Sequence, residues 1–272
     1  MKMRRIVNRM YDKAFFRVDR SDLMQSLTEI GIKTGDNLLV HSSLSSIGYV
    51  VGGARTVILA LIAAIGSSGT LVMPTFPQRA MKKYLDSYER FSVASTPSRN
   101  GIITELFRTD FAEYRSIHPT HPVAAFGPLS EEITRFHHQS QSPFDQCSPF
   151  AKMLEKDFSV LLIGVTFEHL TACRVPEDLH PDLFPQPYLE VPYSVVVHGM
   201  KNEQIVVTTR CHDPKWSRLR NNTAYERLLG KHLIESRMGK ARIKKVSMKR
   251  LYDCQMESIK IGVMPYQNQV FE

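Results

Sequence analysis

The sequence predicts an α/β fold: a mostly parallel central sheet flanked by helices, with antiparallel additions in the C-terminal half. From Asn37 to Phe76 the chain runs apolar strand, Ser-rich loop, apolar helix and second strand, and Val160-Leu161-Leu162-Ile163-Gly164-Val165 reads as another buried strand. Tyr193 to His198 and Gln204 to Arg210 alternate β-branched residues around His198-Gly199-Met200-Lys201-Asn202, the pattern of a hairpin. Strands alternating with helices argue for parallel pairing, and the hairpin adds antiparallel strands to it.

Ser21 can cap a helix through Leu23, Leu27 and Ile30 that ends near Gly31. Asn37-Leu38-Leu39-Val40 is a short strand, Ala54 to Ile65 repeats apolar residues at helical spacing, and Gly69 to Phe76 returns as a strand. Pro77 to Asn100 is polar and weakly periodic, which reads as a long surface excursion of the kind that is often functional. Ile102 to Arg108 is a short helix, Val123 to Gly127 a strand, and Leu129 to His138 a helix. Ser142 to Pro149 is a loop by composition, followed by a short helix at Phe150 to Glu155. Beyond the hairpin, Thr223 to Glu235 reads as a helix, Ile243 to Met248 as a basic strand, and a last helix starts near Arg250.

With 272 residues the chain can bury a large core, and no Pro/Gly/Ser-rich linker divides it, so residues 1–272 read as one domain. Cys147, Cys173, Cys211 and Cys254 show no C-x-x-C spacing, which fits free thiols in a reducing compartment. The basic N-terminus (Lys2, Arg4, Arg5, Arg9) is not followed by an apolar run of signal length, and no stretch approaches a membrane span. A cytoplasmic protein without membrane contact is expected. The net charge of +8 gathers at the first twenty residues and around Lys240 to Lys245 with Lys249 and Arg250. A solvated face accounts for either cluster, and no helix-turn-helix, zinc-finger or RNP pattern accompanies them, so nucleic acid is not an expected partner.

The Ser42 to Gly53 segment offers hydroxyls and small residues just ahead of a helix. The first N–H groups of a helix lack intrahelical partners, and its dipole presents its positive end there, so such a terminus favours an anion. Neither G-x-G-x-x-G nor G-x-x-x-x-G-K-[ST] fits Ser42 to Arg55, which removes direct support for a dinucleotide or P-loop site and leaves an ordinary crossover turn as the plain alternative. His118-Pro119-Thr120-His121 brings two imidazoles close, but Pro119 and Pro122 argue against a shared helix face, and no metal is expected.

In detail the sequence resembles the aminoglycoside 3-N-acetyltransferase family. The resemblance rests on His41-Ser42-Ser43-Leu44-Ser45-Ser46-Ile47-Gly48-Tyr49-Val50-Val51-Gly52-Gly53-Ala54 and Gly69-Thr70-Leu71-Val72-Met73-Pro74-Thr75-Phe76. Thr96 to Gly101, Arg115-Ser116-Ile117-His118-Pro119, Ser148-Pro149 and Val160 to Val165 follow in the same order. It implies an acyltransferase that moves an acetyl group from acetyl-CoA to an amine of an aminoglycoside or other amino-sugar acceptor. Carried over by position, Ser42, Ser43, Ser45, Val50, Val51, Gly52, Gly53, Thr75 and Arg115 would contact the coenzyme, and His118 would line the same cleft. For His118 a structural role bracing the Pro119 turn stands beside that one. A homodimer stays open.

The resemblance also implies a base, because an alkylammonium has no lone pair with which to attack a thioester and an imidazole can take its proton near neutral pH. The family pattern resembles Gly-x-x-x-x-x-x-Thr-x-x-His-x-x-Glu, and this chain matches with Gly164, Thr171 and Glu177 but has Arg174 at the histidine position. Arginine stays protonated and cannot be that base. Three readings follow: a rebuilt pocket in which His169, His118 or Glu177 takes the proton, an acceptor that arrives neutral, or a relative that binds CoA without transfer. The first is preferred, with Glu177, His118, His169 and Arg174 as the catalytic set.

Two further departures from the family, Asp145 and Cys147, are expected to narrow or recharge the pocket mouth. Cys173 beside Arg174 reads either as an activated thiolate or, by the habits of free cysteine, as a small buried apolar group. Aminoglycosides are polycations, so a basic protein needs a locally acidic groove to receive them. Glu168, Glu177, Asp178, Asp182 and Glu190 could build one; Arg174 could instead pair an acidic group on the acceptor.

Overall fold

The computed structural model describes residues 11, 13, 15–78, 80–87, 89–185 and 187–266. The basic residues Lys2, Arg4, Arg5 and Arg9 lie outside them. A seven-stranded sheet organises the chain. From edge to edge its strands are Ile234–Met238, Ala241–Ser247, Ser159–Ile163, Asn37–Ser42, Thr70–Pro74, Val123–Phe126 and Tyr114–Arg115. Asn37–Ser42 is at the centre and pairs in parallel with both neighbours, Leu39 lying opposite Val72 on one side and Val160 on the other. The remaining pairings are antiparallel. The parallel centre agrees with the α/β expectation. The antiparallel share is larger than expected and flanks both sides, because Val123–Phe126 returns against Thr70–Pro74 without a parallel crossover.

The central strands are apolar on both faces, as parallel strands covered by helices must be. Leu38, Val40, Leu71, Met73, Leu161 and Ile163 pack with Val57, Ile58, Leu61 and Ile65 of the helix Ala54–Ile65 on one face. Leu39, Val72, Val160 and Leu162 pack with Phe144, Phe150, Phe158, Tyr225 and Leu251 on the other. Truncating a side chain such as Leu61 to alanine would cost about 2–5 kcal/mol, through lost transfer energy and the cavity left behind.

Most of the expected elements are present. The helix expected from Ser21 is Arg20–Glu29, and its cap is Asp19, whose carboxylate accepts from the N–H groups of Ser21 and Asp22. The hairpin forms between Tyr193–His198 and Gln204–Thr209, and Phe91–Ser92 joins it as a third strand in a separate small sheet. The surface excursion after Pro77 is therefore partly ordered: it contains the helix Met81–Asp86 and this short strand, anchored by buried Phe91 and Val93. The helix expected over Thr223 to Glu235 stops at Leu229, where Gly230 caps it, and Ile234–Met238 is an edge strand. Four short segments between Phe167 and Leu183 are 3-10 or single-turn helices, and they follow the carboxyl end of the strand Ser159–Ile163.

Candidate functional site

Two cavities meet at the carboxyl end of the central strands, where ligands of open α/β sheets characteristically bind. One, of about 1090 Å³, is lined by Ser42, Ser43, Ser45, Val50 and Gly53 together with Asn100, Gly101, Thr166, His169 and Lys240. The other, of about 720 Å³, is lined by Phe76, His121, His169, Arg174, His212 and Arg220 among others, and it also reaches Asn100. His169 and Asn100 thus border both cavities. A group passed from one cavity to the other crosses this junction.

The larger cavity carries the features of an anion site. Two helices, Ala54–Ile65 and Ile102–Asp110, begin at it, and neither has a side-chain cap on its first N–H groups. Their N-cap residues are Gly53 and Gly101, with φ of 66° and 123°, a region L side chains rarely adopt. Ser42 Oγ is buried at the cavity wall without a hydrogen-bond partner. Ser43 Oγ lies 3.3 Å from Ser45 Oγ, and Ser46 Oγ donates to Ser43 Oγ at 2.9 Å. Val51 and Gly52 line neither cavity. They form the turn behind it, in which Thr56 Oγ1 donates to Val51 O at 2.7 Å.

Thr75 and Arg115 also stand apart from both cavities. Arg115 is buried, and it donates to Thr75 Oγ1 at 3.1 Å, Thr75 O at 2.8 Å, Val93 O at 3.0 Å and Thr96 O at 2.7 Å. Burial lowers its pKa to about 9, still well above neutrality. These bonds make the pair a brace that ties the excursion after Pro77 to the main sheet.

His118 is fully buried and lines neither cavity. Its Nδ1 accepts from the backbone N–H of Thr120 at 3.2 Å and of His121 at 3.1 Å, so its proton is assigned to Nε2, which faces Thr209 Oγ1 at 3.1 Å. Burial pushes its pKa down to about 3. Both ring nitrogens are occupied and the ring stacks on His137 at 4.3 Å, so the bracing role describes His118.

Glu177 is likewise unsuited to receive a proton from substrate. Arg220 pairs with its Oε1, and Tyr266 Oη donates to its Oε2 at 2.6 Å. Asp178 turns away from the cavity to accept from Ser142 Oγ at 2.6 Å, Phe144 N at 2.9 Å and Tyr188 Oη at 2.6 Å. Asp145 staples its own loop by accepting from the N–H groups of Gln141 and Cys147, and neither Asp145 nor Cys147 reaches the cavities. Cys173 is fully buried with its thiol pushed up to about 12 by desolvation, which fits the apolar reading.

His169 differs from the other imidazoles. It is exposed, at the junction, with Nδ1 3.4 Å from Thr166 Oγ1. His121 and His212, in the wall of the smaller cavity, are held well below the ordinary imidazole pKa, first by burial and then by neighbouring charges that include Arg174. They stay neutral and can orient a ligand. No periodicity or spacing in the sequence points to His212, Arg99, Arg218 or Arg220, which reach this wall from separate loops and short helices.

The described residues contain no group of His, Cys, Asp or Glu that could hold a metal ion. No helix among them is long and apolar enough to cross a membrane.

The family model described as aminoglycoside 3-N-acetyltransferase matches residues 39–260. The chain belongs to the aminoglycoside 3-N-acetyltransferase family. Its relatives include the SPbeta prophage-derived aminoglycoside N(3')-acetyltransferase-like protein YokD of Bacillus subtilis (strain 168), 31% identical over 192 residues that cover 62% of this chain and 70% of the relative. Aminoglycoside N(3)-acetyltransferase IX of Micromonospora chalcea is 28% identical over 199 residues, covering 68% and 70%. Among solved structures, a mutant of the aminoglycoside acetyltransferase AAC(3)-IVa in complex with apramycin superposes with a TM-score of 0.72 at 26% identity, covering 92% of this chain and 98% of that one. Membership of this acetyltransferase family makes the chain an acyltransferase by class.

Proposed function

We propose that this chain, acting as one domain over residues 1–272 in the cytoplasm, acetylates an amine of an aminoglycoside or other amino-sugar acceptor with acetyl-CoA as donor. The observation that carries this reading is that His169 and Asn100 border both cavities, one with the features of an anion site and the other lined by polar and charged side chains. The Ser42, Ser43 and Ser45 hydroxyls and the helix termini at Gly53 and Gly101 suit the pyrophosphate and pantetheine of the donor, and the turn at Val50 to Gly53 positions the first of these termini. Acetyl-CoA supplies the acyl group as a thioester.

His169 takes the ammonium proton of the acceptor. The freed nitrogen forms the C–N bond at the thioester carbonyl, the C–S bond breaks, and the departing thiolate takes up a proton. Asn100 Oδ1 already accepts from Phe76 N at 2.6 Å, which leaves its amide N–H groups to stabilise the developing oxyanion at the junction. Glu177, Arg174 and His118 act around this centre as an ion-paired support, a cation in the acceptor wall and a brace. Thr75 and Arg115 hold the wall from behind.

Calorimetric titration with CoA and thiol release from acetyl-CoA in the presence of amines test the proposal. Absence of CoA binding at millimolar ligand overturns it. The presence of Arg174 where the family pattern has histidine favours a second reading, a relative that binds CoA without transfer; saturable CoA binding with no thiol release for any amine would select it.

A further inference from the structure

We propose, resting on the acetyl-transfer reading, that the acceptor is an amine that also carries an anionic group, a carboxylate or phosphate ester, seated on Arg174 while its nitrogen meets His169. The acceptor cavity is lined by the cations Lys82, Lys83, Arg99, Arg174, Arg218 and Arg220, against the carboxylates Asp86 and Glu168 only. Lys82 and Asp86 pair with each other at 2.7 Å, and Glu168 Oε1 accepts the N–H of Asn222 at 2.9 Å. Of the other acidic residues that could have made the groove negative, Asp182 and Glu190 do not line it, and Glu177 and Asp178 are engaged elsewhere. Glu177 is taken by Arg220 and Tyr266, and Asp178 by Ser142, Phe144 and Tyr188.

Of the lining cations, Lys82 and Arg220 are paired with carboxylates, and Arg174 stands beside His169 without such a partner. Among the described residues it makes no ion pair or hydrogen bond, yet it is partly buried in the cavity wall. Burial and then the Arg220 guanidinium lower its pKa, with Glu177 opposing, as expected for a cation short of counter-charge. Next to it His212 leaves Nε2 buried without a partner. A fork of guanidinium N–H groups and a neutral imidazole suit a carboxylate or phosphate, and they repel an acceptor whose charges are all ammonium. His169 and Arg174 border the same cavity, so one acceptor can meet both.

The test is the initial rate of thiol release from acetyl-CoA by the full-length protein with glucosamine, glucosamine 6-phosphate, 2-amino-2-deoxyglucuronic acid and an aminoglycoside. One of the two anionic amines should exceed glucosamine in kcat/KM by about tenfold to a hundredfold, the fold-change of one hydrogen bond to a charged group, and the better of the two identifies phosphate or carboxylate. Arg174→Gln should erase that advantage and Arg174→Lys restore part of it. Best turnover with the aminoglycoside, or no anionic advantage, overturns the inference and leaves acetyl transfer standing; failure to bind CoA would count against the transfer reading instead. If no acceptor turns over, calorimetry on the CoA complex decides. Glucosamine 6-phosphate or the aminoglucuronic acid must bind more tightly than glucosamine, with Arg174→Gln removing the difference, and equal affinities overturn the inference.

Discussion

Arg220, in the wall of the acceptor cavity, is ion-paired with Glu177, and their side chains are only 4% and 1% exposed. Tyr266 Oη completes the carboxylate at 2.6 Å, and Arg220 Nη2 also donates to Cys173 O at 2.7 Å. In this way Glu177 anchors the cavity wall. Desolvating two charges consumes most of what their attraction returns, so such a pair is a poor net stabiliser, but losing one partner strands the other.

Glu177→Ala should therefore cost about 3–5 kcal/mol of unfolding free energy, measured from the urea midpoint. The double variant Glu177→Leu with Arg220→Met should lose far less, because no charge is left uncompensated. Equal losses from the single and double variants would show that the pair is not what holds this wall.

Stability should also fall on mild acidification. His118 is depressed to about 3 in the folded state, from an ordinary imidazole value near 6.5, and His121, His137 and His212 are lowered in the same direction by burial. The unfolded chain then binds protons that the folded chain refuses. The contribution is complete above about pH 6.5 and is lost as pH falls toward 3, at up to about 1.4 kcal/mol per pH unit for each group. Urea midpoints should decline from about pH 7.5 to about pH 5, and His118→Asn should flatten the slope. Parallel slopes for both proteins would refute the assignment.

How far the sequence reveals this site depends on how local each signal is. The helix Ala54–Ile65 shows its bounds because its apolar period and its flanking glycines are contiguous, and the Ser42 to Gly53 loop follows from that helix. Strand direction is less readable: Val123–Phe126 is apolar whichever way it pairs. The acceptor wall is legible only in part: Arg174 stands out at the histidine position of the motif and Arg99 lies within the Thr96 to Gly101 match, but Lys82, His212 and Arg220 are distant in sequence and join them only through folding. The acidic run Glu168 to Glu190 misleads for the same reason. Charge counted along a chain says nothing about which carboxylates are neutralised by partners such as Arg220 or turned onto Tyr188.

Coenzyme affinity should separate the cleft from its brace. Gly101→Ala places a Cβ where φ is 123° at the mouth of a helix terminus, so it should weaken CoA binding in calorimetry as well as straining the backbone. Arg115→Met removes a buried guanidinium from the oxygens of Thr75, Ser92, Val93 and Thr96 and should lower stability by about 1.5–3 kcal/mol or more, the value of hydrogen bonds to a charged group. Below its unfolding transition, CoA affinity should be retained. A large loss of affinity in folded Arg115→Met would return this residue to the coenzyme site.

His169→Ala should lower kcat by about 10²–10⁴, the usual contribution of a positioned acid–base group, while the KM for acetyl-CoA changes little. The expectation follows from its place between the cavities and from the fates of its rivals. His118 has both nitrogens engaged, His121 and His212 are kept from protonation by burial and charge, and Glu177 is paired. Free imidazole added to His169→Ala should recover part of the rate, because the position is exposed and opens to both cavities. A full rate in His169→Ala would mean that the acceptor reaches the thioester already neutral, and that orientation by the cavity walls alone carries the transfer.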